Sequence, residues 1–518
     1  FKSIDTSIIW CQNFYNYHKF NETQMKILLI DPPYTIFTGY DNRYFPVGLS
    51  YIGSVLKQNG HDVVVYEVDR ERQDTGDINF SEEYLRLENF RKEINSNNHF
   101  IWKKIAKVVE DYRPDLIGIT SMTMKFGSAV KTAEICKKTK PDTKVIVGGP
   151  HATDWLQICF QSPYIDICIS GEGEESILLT IEAIKNNYTD FQEIHGISFK
   201  KEGQLILRKQ SPYIADLNKY PFPARDLLLN KDKYTSEDMG VIMTSRGCPY
   251  KCGFCSHPPR VRYRSLDNVI EEIKYVKEKY GTQQFAIKDD SFTVNKKRTI
   301  QFCETLKKEK LGINWDCTTR VNLIDDELLN IMQEAGCNTI KVGIETGSER
   351  ILKEVNKGVT FDQMKKAADL LNKHGIFWSA YFMYGLPTET KEDMLKTLEF
   401  MKELNPPYAG LGLYAPMPNT ILWNQGLELD IIDTNISLNH FFETNPKDYF
   451  FKDYKKRVVS MEYEEFLKIA EYLMNEFNKH NTHWTKMMKR GWSRRKAYKK
   501  DPKLMIGDVK KAFKWALG

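Results

Sequence analysis

Apolar positions along this chain fall into two runs of short, nearly continuous strands separated by stretches of helical period. The first run opens at residues 26–30, where Asp31-Pro32-Pro33 stops the strand because proline cannot donate to a ladder. The spacing predicts a helix over 47–58, with Gly60 just past its end, and a second strand over 62–66. A polar insert at 70–98 reads as a loop. Strands at 116–120, 144–147 and 165–169 then alternate with helices at 129–139 and 175–186. Strands this apolar, interleaved with helices, predict a parallel sheet covered on both faces.

Residues 191–240 read as a link holding a two-strand piece (196–200 and 205–209) and a proline-rich run at 220–225. The second run predicts six strands, at 241–245, 284–288, 314–318, 339–344, 378–383 and 410–414. Helices are expected between them at 266–280, 296–307, 325–334, 361–373 and 391–404. Six β/α units predict a partial (β/α)6 barrel of the TIM type, with its chemistry at the carboxyl ends of the strands. The fold class is therefore α/β. A Rossmann-like domain is expected over 25–190, a link over 191–240, the barrel over 241–415 and a helical, basic region over 416–518, with residues 1–24 as an N-terminal extension.

Composition narrows the function classes. The longest apolar runs are strand-length, well short of the about 20 residues of a spanning helix, and no apolar leader follows Phe1. Seven of the ten cysteines are scattered through apolar contexts, which fits packing in a reducing cytoplasm better than a disulfide framework. The net charge of +5 is uneven: residues 486–514 hold twelve Lys/Arg against two Asp. Trp484, Trp492, Tyr498, Phe513 and Trp515 interleave with those cations. That mixture suits a solvated helical end, an anionic substrate, a nucleic-acid backbone or peripheral contact with a membrane surface, and no motif points to nucleic acid.

The remaining three cysteines form Cys248-x3-Cys252-x2-Cys255, directly after the first barrel strand. A zinc site needs a fourth ligand, and the local candidate is His257, followed by Pro258-Pro259. Three soft thiolates in one loop, one short of closure, suit an iron–sulfur cluster with an open iron. The other barrel strand ends carry Asp289-Asp290, Arg320, Gly343-Ile344-Glu345-Thr346-Gly347-Ser348 and Gly385-Leu386-Pro387-Thr388-Glu389. Each has a plain alternative as a cap, a turn or a solvated side chain. Glu345 resists it, because a carboxylate ending an apolar strand needs a hydroxyl or cationic partner. In the first domain the strand ends carry Asp31-Pro32-Pro33, Thr120-Ser121-Met122-Thr123, Gly148-Gly149-Pro150-His151 and Gly171-Glu172-Gly173-Glu174. Parallel sheets bind ligands at such ends.

The cysteine loop, the phenylalanine before its third cysteine and the six-unit barrel together resemble the radical S-adenosylmethionine superfamily. The resemblance implies a [4Fe-4S] cluster on Cys248, Cys252 and Cys255, with S-adenosylmethionine on its open iron. It implies a ribose or amine contact from Glu345, polar or carboxylate contacts from Asp289, Asp290 and Arg320, and an adenine-side turn at Gly385. The first-domain turns resemble the cobalamin-binding domain found ahead of many such enzymes. That resemblance implies a corrinoid lined by Pro32, Pro33, Thr120, Ser121, Gly148, Gly149, His151, Gly171, Glu172 and Gly173, with glycines allowing close backbone approach. The Asp-x-His-x-x-Gly motif that places histidine on cobalt is missing, so His151 is expected against the cofactor's tail and His61 at the surface.

Methylthiotransferases are similar but carry three first-domain cysteines for a second cluster. Here Cys136, Cys159 and Cys168 do not line one ligand face. The implied activity is cobalamin-dependent methylation of an unactivated carbon on a small-molecule or peptide substrate, with a flavodoxin- or ferredoxin-type electron donor. A 5′-deoxyadenosyl radical would take the substrate hydrogen and methylcobalamin would supply the methyl. The alternative is an oxidative cyclase of the anaerobic porphyrin type, or a rearrangement enzyme, without methyl transfer.

Overall fold

The computed structural model describes residues 24–39, 45–71, 83–185, 195–500, 505–506 and 509. The expected N-terminal extension and the end of the basic region lie almost wholly outside them. The first sheet contains β1 (Lys26–Asp31), β2 (Asp62–Glu67), β3 (Leu116–Thr120), β4 (Lys144–Gly148), β5 (Ile167–Ile169), β6 (Ile197–Lys201) and β7 (Gln204–Ile206), in the order β2-β1-β3-β4-β5-β6-β7. β1 to β5 run parallel; β6 and β7 add antiparallel at one edge. The two-strand piece read as part of a link is therefore built into this sheet.

The pleat of β1 explains its unbroken apolar sequence. Ile27 and Leu29 enter one core, Leu28 and Ile30 another, because successive side chains alternate between faces. The Ile27–Leu29 core is continuous with that of the barrel. The opposite face is covered by helices Glu83–Asn95, Phe100–Tyr112 and Phe126–Thr139, and by Phe441, Tyr449 and Phe450 from the C-terminal region. Helix Glu83–Asn95 corrects the loop reading of residues 70–98, and Phe100–Tyr112 follows in a stretch for which no element was expected. Leu87, Phe90 and Ile94 are buried along one stripe, as are Ile101, Ile105, Val108 and Val109. The many charges between them fall on the solvent side, which hid the period.

The second sheet is parallel throughout, with β8 (Val241–Ile242), β11 (Gln284–Ile287), β12 (Asn314–Thr319), β13 (Cys337–Glu345), β14 (Phe377–Tyr384) and β15 (Tyr408–Leu413) in the order β15-β14-β13-β12-β11-β8. It is the expected six-strand partial barrel. The first predicted strand is cut short: after Ile242 the chain turns, and β9 (Ser245–Arg246) pairs antiparallel with β10 (Arg262–Tyr263). Helix Tyr463–Thr482 of the C-terminal region packs on β15 and on helix Lys391–Leu404, with Phe477 edge-on to Phe382 at 5.4 Å. The two sheets thus share one continuous core.

Candidate active site at the carboxyl ends of two sheets

The cysteine loop hangs between β9 and β10. Cys248, Cys252 and Cys255 are half-buried free thiols. Backbone bonds fix the loop at several points: Cys248 N donates to Pro258 O (2.9 Å), Gly253 N to Val355 O (2.7 Å), and Leu422 N to Gly253 O (2.8 Å). Gly247, at φ +93°, makes the entry turn; a Cβ there would lie 2.4 Å from Arg260 O. Among the described residues no group of three His, Cys, Asp or Glu is gathered around a single metal-ion position. Three free thiols in one loop suit three corners of an iron–sulfur cube.

The strand-end residues divide into two kinds. Arg320 ends β12 beside the loop: its Nη1 donates to Cys252 Sγ at 3.1 Å, its Nη2 to Lys357 O, and its guanidinium lies 3.8 Å from the centre of the Tyr250 ring. Glu345 ends β13 at φ +73°, a left-handed conformation that is unfavourable for glutamate and is held by its surroundings. Its buried carboxylate accepts from Lys357 Nζ at 2.6 Å. Gly343 makes this pair fit, since a Cβ there would meet Glu345 Oε1 at 2.1 Å and Lys357 Nζ at 2.7 Å. Lys357 is thus the cationic partner that Glu345 required.

The buried carboxylate of Asp289 is taken by Thr244 N, Thr244 Oγ1 and Ser245 Oγ, each at 2.6 Å. Burial pushes this carboxyl above its ordinary range, and those bonds offset only part of the rise. It anchors the root of the cysteine loop. Asp290 lies 3.2 Å from His257 Nδ1, at the loop's far side. Thr346 and Ser348 are structural: Thr346 Oγ1 meets Thr397 Oγ1 at 3.1 Å, and Ser348 caps helix Glu349–Glu354. Gly385, at φ +76°, and Leu386 donate to the buried Glu389, while a Cβ on Gly385 would meet Leu413 at 2.7 Å and Phe466 at 3.3 Å.

In the first domain, Asp31 pairs with Lys125, and Pro33 O accepts from Ser128 Oγ at 2.6 Å. Thr120 and Ser121 end β3, and Ser121 N donates to Gly148 O at 2.7 Å. Gly149 sits at φ +104°, where a Cβ would lie 2.8 Å from Ser121 O, while no atom comes nearer than 3.7 Å to a Cβ on Gly148. His151 is wholly buried, stacked on Phe126 at 3.8 Å with Phe441 edge-on at 5.1 Å. Burial lowers it to about 3, so it is neutral. Ser121 Oγ and His151 Nε2 are buried without a hydrogen-bond partner. His61 is also buried, not at the surface, and its Nδ1 accepts from Met25 N.

The Gly171–Glu174 turn departs most from expectation. Glu172 accepts from Arg262 (2.6 and 2.9 Å), Arg246 (3.1 Å) and Ile214 N (2.6 Å), and Glu174 accepts from Arg246 Nη2 at 2.6 Å. Burial alone would raise the Glu172 carboxyl; Arg262 and Arg246 outweigh it and hold it below the usual range. A Cβ on Gly171 would meet Ser211 N at 3.0 Å, and one on Gly173 would meet Ile52 at 3.2 Å. These three residues are packed against neighbouring chain. Arg246 and Arg262 flank the cysteine loop, so this turn clamps the first domain to the loop's base. Arg246, Arg262, Lys357 and Tyr250 were missed from sequence. Their partners lie far along the chain, and the legible signal was Arg246 two residues before Cys248.

A three-thiol loop at the mouth of a partial barrel is thus clamped to the carboxyl end of a Rossmann-like sheet. The Radical SAM superfamily model matches residues 242–401, and the B12 binding domain model matches residues 35–179. The chain is 33% identical to an uncharacterized methyltransferase of Pyrococcus horikoshii, over 79% of this chain and 85% of that protein. It is 29% identical to the anaerobic magnesium-protoporphyrin IX monomethyl ester cyclase of Rubrivivax gelatinosus, over 79% of this chain and 71% of that one. Its fold is similar to that of the radical S-adenosylmethionine methyltransferase TsrM from Kitasatospora setae, solved with cobalamin and a [4Fe-4S] cluster (TM-score 0.60, 17% identity, 79% of this chain and 75% of that chain).

The chain belongs to the cobalamin-binding branch of the radical S-adenosylmethionine family, whose cofactors are the [4Fe-4S] cluster, S-adenosylmethionine and cobalamin. The residues present fit them. Three thiols beside a guanidinium suit the cluster. The buried Glu345–Lys357 pair offers one acceptor and one cation to an amino-acid cofactor. The orphaned Ser121 Oγ and His151 Nε2 offer hydrogen-bond partners to a polar ligand tail.

Proposed function

We propose that the chain is a cobalamin-dependent radical S-adenosylmethionine methyltransferase acting on an unactivated carbon of a small-molecule or peptide substrate. One observation carries this reading: the Glu172/Glu174–Arg246/Arg262 clamp ties the first domain to the base of the cysteine loop, so both cofactor sites share one frame. When bound, the cluster with S-adenosylmethionine supplies a hydrogen-abstracting radical, and the corrinoid supplies a transferable methyl group.

The chain's own residues do the positioning. Cys248, Cys252 and Cys255 hold the cluster, and Arg320 donates to the Cys252 sulfur. Glu345 and Lys357 present opposite charges for the cofactor's ammonium and carboxylate. Thr120, Ser121, Gly148, Gly149 and His151 form the polar, glycine-lined end of β3 and β4 for the corrinoid. Pro32 and Pro33, both buried, close that end beside β1. The buried, unpartnered Tyr414 hydroxyl at the end of β15 is available to a substrate polar group. Half-buried cluster thiols call for a reducing compartment and a low-potential donor of flavodoxin or ferredoxin type.

The test is product mass. A gain of one CH2 with S-adenosylhomocysteine formed supports methylation; 5′-deoxyadenosine with an unmethylated product favours the cyclase reading suggested by the porphyrin-ester cyclase relative. Under dithionite, Cys252→Ala should abolish 5′-deoxyadenosine formation. If the intact protein forms none either, the enzyme reading fails.

A further inference from the structure

Helix Trp484–Ser493 is mounted inside out. Trp484, Met488 and Trp492 lie at i, i+4 and i+8 on one face and are 66%, 64% and 69% exposed. Its other side turns cations into the fold. Lys486 is 7% exposed, and its Nζ donates to Asn405 O (3.0 Å), Asn405 Oδ1 (2.6 Å) and Pro406 O (3.0 Å). The Arg490 guanidinium lies over the Tyr408 ring at 5.0 Å. A helix on a globular protein ordinarily turns its apolar stripe inward and its lysines outward. Here the lysine anchor prevents the helix from rolling, so the tryptophans stay out.

The surroundings of the stripe are cationic. Lys489, Arg495 and Lys499 are exposed, and Arg495 covers the Trp492 ring at 4.5 Å. Residues 484–500 contain no Asp or Glu. Farther on, Met505, Ile506 and Val509, at i, i+1 and i+4, are exposed as well. Among the described residues no helix is long and apolar enough to cross a membrane.

We propose that this face docks the protein on an anionic lipid bilayer, with Trp484, Met488 and Trp492 entering the headgroup–acyl boundary and the flanking cations meeting lipid phosphates. Bulky apolar residues beside Lys and Arg, with tryptophan prominent and acids missing, are what a helix lying in that boundary requires. Protein–protein interfaces are depleted in lysine, and a nucleic-acid duplex would engage the cations through its phosphates while leaving Met488 and both tryptophans in water. The location agrees. Met488, Trp492 and Arg495 line a groove with Cys337 and Phe377, the first residues of β13 and β14. This is the amino end of the barrel, opposite the cysteine loop. Docking there leaves the mouth open to substrate and electron donor.

The experiment is co-sedimentation of the full chain, anaerobically reconstituted, with vesicles of phosphatidylcholine alone or with one third phosphatidylglycerol. The intact protein should sediment with the anionic vesicles and not the neutral ones, and added salt should weaken the binding, since each near-surface cation contributes about fivefold in partition. Replacing Trp484, Met488 and Trp492 together by serine, and separately Lys489, Arg495 and Lys499 by glutamate, should each reduce binding at least about tenfold. Both variants alter exposed side chains, so cluster content and circular dichroism should match the parent. The proposal is overturned if the intact protein stays in the supernatant or if the serine variant sediments as the parent does. It is also overturned if the parent ignores vesicles yet forms a dimer that the serine variant loses, or binds an oligonucleotide in its place.

Discussion

Removing the charge of Arg320 should lower the reduction potential of the cluster on Cys248, Cys252 and Cys255. The guanidinium donates to Cys252 Sγ at 3.1 Å, and the residue is only 7% exposed. An added electron makes the cluster more negative, so a neighbouring cation and an N–H···S hydrogen bond both favour the reduced form. A unit charge at about 4 Å is worth about 4 kcal/mol at an effective dielectric near 20. The electron is shared over the whole cluster, which leaves roughly 1–2 kcal/mol, or about 40–90 mV for a one-electron couple. Arg320→Met should shift the potential negative by that amount, and Arg320→Lys, which keeps the charge, should recover more than half. The assay is a redox titration of anaerobically reconstituted protein followed by EPR, with iron and sulfide content verifying an intact cluster. A potential in Arg320→Met within about 20 mV of the parent, at full iron content, refutes the reasoning.

Three further outcomes are expected. Glu172→Ala removes the acceptor shared by Arg246 and Arg262 and should destabilise by about 2–4 kcal/mol, below a fully buried pair because some exposure remains. Thermal unfolding should show an earlier first transition, and adding Arg262→Ala should cost less than the sum of the single changes; strict additivity would count against the clamp. Gly343→Ala places a Cβ where Glu345 Oε1 and Lys357 Nζ lie, so the pair must separate. S-adenosylmethionine binding should weaken by about tenfold in equilibrium dialysis with the cluster spectrum unchanged, and an unaltered affinity would remove Glu345 from the cofactor site. Burial holds Glu389 neutral to about 8, against its ordinary 4.5. The unfolded chain therefore releases this proton first, and stability falls as pH rises from 4.5 toward 8. Glu389→Gln should flatten that fall in denaturant midpoints measured across the range; parallel curves for both proteins would contradict it.

The cysteine loop was legible because its chemistry is local: three thiols within eight residues, next to a strand. The two parallel sheets were legible because apolar strands alternate with helices along the chain. Helices Glu83–Asn95 and Phe100–Tyr112 were not, since charged residues surround their buried stripes and only packing on the first sheet exposes the period. The short strand at 196–200 looked like part of a link because antiparallel addition to β5 is decided by the edge it meets, not by its own composition.

Carboxylates proved the least legible, for an electrostatic reason. Asp289 and Glu172 stand at strand ends just as Glu345 does, yet Asp289 bonds to Thr244 and Ser245, and Glu172 to Arg246 and Arg262, 74 and 90 residues away in the chain. Charge interactions fall with distance in space and take no account of separation in sequence. The sequence by itself therefore determined the fold class, the open cluster loop and the order of the two cofactor domains, all of which depend on local pattern. Only the tertiary structure showed which cation or hydroxyl each acid pairs with. It alone showed that Lys486 is buried while Trp484, Met488 and Trp492 face outward, because burial is a property of the surface a helix meets.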